Sequence, residues 1–399
     1  MMQQVRPVLL ESRRHWCQAM EGLGCDPDAW FRVRERADVV ALLTGPIRSP
    51  AASILKQAML AAGADALVHR LVLTCGVPES AVLIYGSPKN LRAGCDSLRG
   101  QPFGLDSVAD DVLCYLQVPD APDTILLGDK SLTFGPRPIF MGVLNCTPDS
   151  FSDGGQWLDP AKAVEHGLAM HEQGASIIDV GGESSRPGSL ATSRDEQLER
   201  VIPVVRGLSR KPDLLISVDT VEPAVARAAL AAGARIINSI NGMETPGMAE
   251  LAAETGAGVI LMHMRGDPAT MQQNPRYSHA PSEVAFYLLN RVNELVAAGV
   301  ERSRIMVDPG IGFGKRPWDN LGLINSAPWL RRVTGCRVVL GHSRKSFLGL
   351  LSGETEPARR DSASALVSAL SADRVDVLRV HNVKQCAEAV SAALEGIAP

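Results

Sequence analysis

Asp308-Pro309-Gly310-Ile311-Gly312-Phe313-Gly314-Lys315 follows directly on the apolar run Ile305-Met306-Val307. The pattern describes a buried strand that delivers one carboxylate to its own C-terminal end. The glycines at 310, 312 and 314 let the backbone turn sharply and approach a neighbour closely. A carboxylate beside a fully apolar strand is costly to bury unpaired, so Asp308 is expected to face a hydrogen-bonding ligand. A tight strand-to-helix turn would by itself account for the glycines. The functional reading gains weight because the same design recurs along the chain.

Working outward, eight short apolar runs lie from about residue 131 onward: Ile139–Leu144, Ser176–Val180, Leu214–Val218, Ala234–Ile237, Gly258–Met262, Arg304–Val307, Arg337–Leu340 and Val375–Val380. Helical stretches alternate with them, among them Ala161–Gln173, Asp195–Leu208, Pro223–Ala232, Ala285–Ala298 and Ser362–Ala372. Eight β-then-α units in about 265 residues predict a closed (β/α)8 TIM barrel, which typically takes about 250. An open doubly wound sheet would carry a G-x-G-x-x-G turn after its first strand. Here that turn is Asn145-Cys146-Thr147-Pro148-Asp149-Ser150. The barrel domain is expected over 131–399.

Residues 1–130 are expected to form a small α/β extension. Strands are predicted at Val39–Leu43, Leu71–Leu73 and Ala81–Tyr85, and helices at Ser53–Ala62, Pro88–Leu98 and Asp106–Leu116. Pro119, Pro122, Gly128 and Asp129 mark a linker over about 118–130. The extension carries no phosphate loop, metal cluster or nucleophilic triad, and its role is not legible.

Composition narrows the function classes. The chain is 45% hydrophobic and 21% charged, with a formal net charge of -4. That balance argues against a general nucleic-acid binder, which carries a basic excess. The eight cysteines form no C-x-x-C pair and fit scattered free thiols in a reducing compartment. No apolar run is long enough to span a bilayer, and the first residues lack the apolar core of a signal peptide. A cytoplasmic protein, with no nucleic-acid or membrane partner, is expected.

In a barrel of this kind the active site lies at the C-terminal ends of the strands. Those ends here read Asn145, Asp179 with Glu183, Asp219, Asn238, His263, Asp308, Gly341-His342-Ser343-Arg344-Lys345, and Arg379 with His381. Each has a bland reading. Asp219-Thr220 could cap the next helix, and His263 and His342 could be satisfied core residues. Eight such coincidences on one rim are much rarer than one. Asp219, Asn238, Asp308 and Lys345 suit a flat nitrogen heterocycle with adjacent N–H donors and a ring carbonyl. Arg186, Arg344, Arg379 and His381, with no evident carboxylate partners in the sequence, suit an anion such as phosphate. Asn145 could add a ligand to Mg2+, which binds through few protein oxygens plus substrate phosphates. A heterocycle beside a diphosphate implies pyrophosphate as leaving group. The loops Asn145–Gly155 and Gly181–Gly188 could close over such a site.

At these residues the chain resembles the dihydropteroate synthase family. The matching motifs are Met141 to Gly155, Asp179 to Gly188, Ser217-Val218-Asp219-Thr220, Met262-His263-Met264, Asp308 to Lys315, Ser343-Arg344-Lys345 and Arg379-Val380-His381. The resemblance implies condensation of 6-hydroxymethyl-7,8-dihydropterin pyrophosphate with p-aminobenzoate. It implies that Asp219, Asn238, Met262, Asp308, Phe313 and Lys345 hold the pterin. It assigns Asn145, Arg186, Arg379 and His381 to the pyrophosphate, with Asn145 also on Mg2+. Phe151, Ser185, Pro187, Ser343 and Lys345 would lie at p-aminobenzoate, and Asp149, Asp153, Arg186 and Lys345 would carry catalysis. It further implies a homodimer, and sulfonamides as competitors for the p-aminobenzoate site. A dissociative substitution needs no covalent nucleophile, which leaves Cys146 to packing.

The chain departs from the family pattern at Ser185, Cys146, Ser239 and Asn382. Ser239 removes a charge expected near the pterin pocket, and Asn382 replaces an Asp expected to orient His381. Two alternatives stand beside this reading. One is a methyltransferase of the same barrel superfamily passing a methyl group from methyltetrahydrofolate to a corrinoid protein, which has no use for a diphosphate clamp. The other is a non-catalytic pterin-binding partner protein, which has no need of the Asp149–Gly155 and Ser185-Arg186 segments.

Overall fold

The computed structural model describes residues 35–146, 159–183, 192–267 and 270–395, together with 16, 20–21, 23–26 and 33. The chain divides into two compact units, Met1–Val118 and Pro119–Pro399.

The first unit carries an antiparallel sheet of Val40–Leu43, Leu83–Gly86 and Asp65–Leu67, with Leu83–Gly86 in the middle. Helices Ser49–Ala61, Pro88–Leu98 and Leu105–Leu116 pack on it through Leu55, Met59, Leu91, Leu98 and Leu105, all fully buried. Ser87 caps the second helix by accepting the Asn90 N–H, and Pro88 occupies its first turn. The strand expected at Leu71–Leu73 is instead a turn, in which Val72 N–H donates to His69 O at 3.0 Å. Leu71 and Leu73 face solvent and only Val72 reaches the core, so three apolar residues overstate the signal.

The second unit is a closed, wholly parallel eight-stranded barrel. Its strands are β1 (Ile139–Asn145), β2 (Ala175–Gly181), β3 (Leu215–Asp219), β4 (Ile236–Ser239), β5 (Gly258–Met262), β6 (Ile305–Asp308), β7 (Arg337–Leu340) and β8 (Val377–Val380). They run in sequence order, and β8 closes the barrel by pairing with β1, Arg379 opposite Met141. The expected helices appear as Pro160–Glu172, Arg194–Leu208, Pro223–Ala232, Ala280–Ala297 and Asp361–Leu370. Part of the stretch read as linker, Thr124–Leu127, pairs with Lys130–Thr133 as a hairpin. Ile125, Leu127, Leu132 and Phe134 of this hairpin segment cluster with Met141, Ile177, Leu215, Ile236, Ile260, Met306, Val339 and Val377. That layer takes one residue from each strand, so the hairpin covers the bottom of the barrel.

Strand side chains alternate with a period of two. Stepping two residues up from the apolar layer therefore gives Val143, Asp179, Ser217, Asn238, Met262, Asp308, Gly341 and Arg379. A further step reaches Asn145, Gly181 and Asp219. The fold thus places polar side chains one layer above a closed apolar floor.

The glycine turn after β6 fits this plan. Gly310, Gly312 and Gly314 have φ of +66°, +81° and +64°. A Cβ at Gly310 would run into the His263 carbonyl oxygen. Gly310→Ala combines a left-handed backbone with that collision and is expected to cost about 3 kcal/mol or more. Urea unfolding measures it, and a midpoint equal to wild type would refute the account.

Candidate active site

Arg379 is the centre of the inward polar layer. Its Nε donates to Asp179 Oδ2 at 2.7 Å and its Nη2 to Asp219 Oδ2 at 2.8 Å. Asn238 Nδ2 donates to the same Asp179 Oδ2 at 2.9 Å. Asp179 is fully buried, and its Oδ1 has no hydrogen-bond partner among the described residues. Burial and the neighbouring Asp179 push the Asp219 carboxyl up to about 7, outweighing the opposing pull of Arg379. Arg379 itself stays protonated, because the paired carboxylates overcome its desolvation.

This corrects the expectation that the cationic set lacks carboxylate partners. Arg344 is also paired, with Nε and Nη2 on Asp361 at 2.6 and 2.8 Å. Asp219 makes no helix cap. Thr220 Oγ1 accepts the Glu222 N–H instead, at 3.1 Å, and Asp219 is left to Arg379.

Asp308 accepts the Gly310 N–H at 2.7 Å, and burial raises its carboxyl above the usual range. Gly341 leaves room beside it, since a Cβ there would lie 3.2 Å from Asp308 Oδ2. Lys345, from the turn after β7, reaches over Gly312 and rests its ammonium 3.8 Å from the centre of the Phe313 ring. Burial, with Arg379 next, lowers the Lys345 ammonium to about 7, while Asp308 and Asp219 pull the other way. Phe313 and Met262 are both buried and share an apolar cluster with Met271.

Ser343 Oγ accepts the His381 N–H at 3.2 Å and lies 3.1 Å from His381 Nδ1. Burial, then Arg344 and Arg379, push the His381 imidazole down to about 3, which leaves it neutral. The Asn382 side chain does not take up the orienting role expected at that position. It donates to Asp361 Oδ2 at 3.1 Å and accepts the Gln385 N–H at 3.1 Å. Ser239 points away from the barrel interior by the period of two, and its Oγ meets Asn241 Oδ1 at 2.8 Å and Met243 N–H at 3.3 Å. The lost charge at 239 therefore falls outside the inward layer. His342 is a core residue, with Nε2 2.9 Å from Ser364 O and 3.0 Å from Ser368 Oγ. Glu183 accepts the Thr192 N–H at 3.0 Å. Cys146 is buried, with its thiol pushed up to about 12 by burial, so it is a poor nucleophile.

The structure thus brings Asn145, Asp219, Asn238, Met262, Asp308, Phe313, Ser343, Lys345, Arg379 and His381 to the C-terminal end of one barrel. Asp149, Phe151, Asp153, Ser185, Arg186 and Pro187 lie outside the described residues. Sequence reading put Asp179 on the rim but gave it no task, although counting by two from Ile177 places it beside Asn238, Asp308 and Arg379. It also left the last residue of the opening stretch, Lys315, unassigned.

A parallel barrel with buried carboxylates, an amide and a lysine on its mouth is a scaffold for holding a flat, hydrogen-bonding heterocycle beside an anion. The chain belongs to the pterin binding enzyme family, whose model matches residues 141–381. Within that family its activity is that of a dihydropteroate synthase, a transferase that joins 6-hydroxymethyl-7,8-dihydropterin pyrophosphate to p-aminobenzoate with release of pyrophosphate. The chain is 42% identical to the dihydropteroate synthase of Escherichia coli K12 over 256 residues, which is 64% of this chain and 90% of that one. The Xanthomonas albilineans dihydropteroate synthase with 4-aminobenzoic acid matches at 39% identity and a TM-score of 0.65, covering 69% of this chain and 99% of that one. A probable bifunctional folylpolyglutamate synthase/dihydropteroate synthase of Halobacterium salinarum is 37% identical over 376 residues, 94% of this chain and 45% of that one. The last similarity extends through most of the first unit. The methyltransferase and non-catalytic alternatives give way to the synthase reading.

Proposed function

We propose that the rim works as two adjoining halves. Asp219, Asn238, Asp308 and Lys345 hold the pterin edge, with Met262 and Phe313 as its apolar faces. Arg379, His381 and Asn145, joined by Arg186, take the diphosphate. Ser343 and Lys345, with Phe151, Ser185 and Pro187, adjoin p-aminobenzoate, where sulfonamides would compete. The observation that carries this reading is the Arg379 bridge from Asp179 to Asp219, which puts one cation at the seam between the halves.

In the reaction the bond from the pterin methylene carbon to the diphosphate oxygen breaks. The amine nitrogen of p-aminobenzoate then takes that carbon and loses a proton. Positive charge fixed on Arg379 stabilises the leaving group without reorganising. Asp149, Asp153 and Arg186 are proposed to complete the site around the amine, on the strength of the motif alone.

Mg2+ fits as a third contributor. A Cβ at Gly181 would lie 3.7 Å from Asn145 Oδ1 and 3.9 Å from Asp219 Oδ2, so its absence leaves a notch faced by oxygens. Among the described residues no three His, Cys, Asp or Glu could hold a metal by themselves. Asn145 would therefore supply one ligand and the diphosphate several, a usual arrangement for this ion. Bound there, Mg2+ would neutralise charge on the leaving group.

A homodimer is supported by Leu350, Leu351, Leu366 and Leu370, each at least 60% exposed on two helices of the barrel unit. The free thiols of the described cysteines support a cytoplasmic setting. No helix among the described residues is long and apolar enough to cross a membrane.

The division is tested by binding the two halves of the substrate separately. Asp308→Asn is expected to weaken 6-hydroxymethylpterin and leave inorganic pyrophosphate unchanged. His381→Ala is expected to do the reverse. Loss of both ligands in both variants would remove the two-part reading.

The pH profile gives an independent check. Asp219 stays protonated until about pH 7 and accepts a hydrogen bond fully only above it. Lys345 loses its ammonium above about 7. The kcat/KM for the pterin diphosphate is therefore expected to be bell-shaped with a maximum near neutral pH, its limbs belonging to the coupled cluster. In Lys345→Arg the alkaline limb should move to higher pH, and a limb unchanged from wild type would refute the assignment.

A further inference from the structure

Lys315 ends the glycine turn, and its ammonium is buried at 4% exposure. Three acceptors surround it: His263 Nδ1 at 2.9 Å, Phe313 O at 3.0 Å and His263 O at 3.3 Å. A lysine ammonium has three donors and no acceptor, so this set matches the charged form. His263 answers as a neutral ring, pushed down to about 2 by burial and by Lys315. Burial lowers the Lys315 ammonium to about 7, and Asp308 is the largest opposing influence. His263 is seated in turn against Tyr287, edge to face at 4.9 Å, and Tyr287 donates to Glu244 Oε1 at 2.9 Å.

The rest of the turn is braced as heavily. Gly312 N–H donates to Asn320 Oδ1 at 2.8 Å, Gly312 O accepts Gln272 Nε2 at 2.6 Å, and Gly314 O accepts the Tyr277 hydroxyl at 3.0 Å. Phe313 lies in the middle of these bonds. Its ring is the surface on which the Lys345 ammonium rests. His263 N–H also donates to Asp308 O at 3.1 Å, so one residue ties the turn to the strand end that bears the carboxylate.

We propose that Lys315 is a positioning residue for the pterin, fixing Phe313 by its carbonyl and holding its amine behind Asp308 through the His263 and Phe313 acceptors. It touches neither substrate nor diphosphate. It acts through Phe313, Asp308 and His263, and a buried cation with all three donors occupied has little freedom to move. The proposal rests on the pterin half of the site as divided above.

The test compares binding of 6-hydroxymethylpterin and of inorganic pyrophosphate to wild type, Lys315→Met and Asp308→Asn. Lys315→Met orphans buried acceptors beside the pterin face only. Its pterin Kd is expected to rise about tenfold, with pyrophosphate binding within about twofold of wild type. Unchanged pterin affinity in Lys315→Met, or equal weakening of both ligands, overturns the proposal. If Asp308→Asn also binds pterin normally, the pocket assignment itself fails. If Asp308→Asn loses pterin and Lys315→Met does not, only the role of Lys315 fails. Should Lys315→Met not fold, Tyr277→Phe carries the test by withdrawing one brace from Gly314. A pterin-selective loss of about threefold is then expected, and no loss or an unselective one overturns the proposal.

Discussion

Arg379→Ala is expected to lower kcat by about a thousandfold, the scale of losing one preorganised charge at a leaving group. It is also expected to destabilise the folded protein by about 3 to 5 kcal/mol at neutral pH, because it strips the partner from a buried carboxylate. The structural reason is specific. Arg379 is held by Asp179 and Asp219 at once, and Asp179 is fully buried with Asn238 as its other partner. The deficit should shrink on acidification, because Asp219, whose carboxyl is pushed up to about 7 by burial and Asp179, no longer needs the cation once it has taken up a proton. Urea unfolding at two pH values, beside turnover, separates the two effects. Wild-type stability at neutral pH would show that the bridge is not formed in solution.

Lys345→Ala is expected to cost a similar factor, about a thousandfold in kcat/KM for the pterin diphosphate, but with a thermal midpoint within a few degrees of wild type. The contrast follows from its surroundings. The Lys345 ammonium sits over the Phe313 ring, attracted by Asp308 and Asp219 without a hydrogen bond to either. Asp308 keeps the Gly310 N–H, and Arg379 and Lys315 still favour its ionised form. No buried carboxylate is orphaned. Lys345→Met, which keeps the length of the chain over Gly312, should be as inactive as alanine. Substantial turnover in either variant would undo the role of Lys345 as a pterin donor.

Much of this was legible before folding. Each apolar run declared a strand and its last polar residue declared the rim, because backbone period and local turn chemistry are written in neighbouring residues. The glycine spacing after Asp308 was read as a close approach, and a Cβ at Gly310 would indeed meet the His263 carbonyl. The three residues Leu71–Leu73 misled because so short a run does not distinguish a strand from a turn that buries one side chain.

Sequence by itself determined the closed barrel, the identity of its polar rim and the chemistry those side chains can offer. Tertiary structure alone decided who meets whom. Arg379 finds Asp179, 200 residues away, and Lys315 finds His263, 52 residues away. The hairpin at 124–133 finds the barrel floor through residues drawn from all eight strands. Such partnerships depend on the register at which strands pair when the barrel closes, and a one-residue slip of their strands would turn Asp179 or Arg379 to the opposite face.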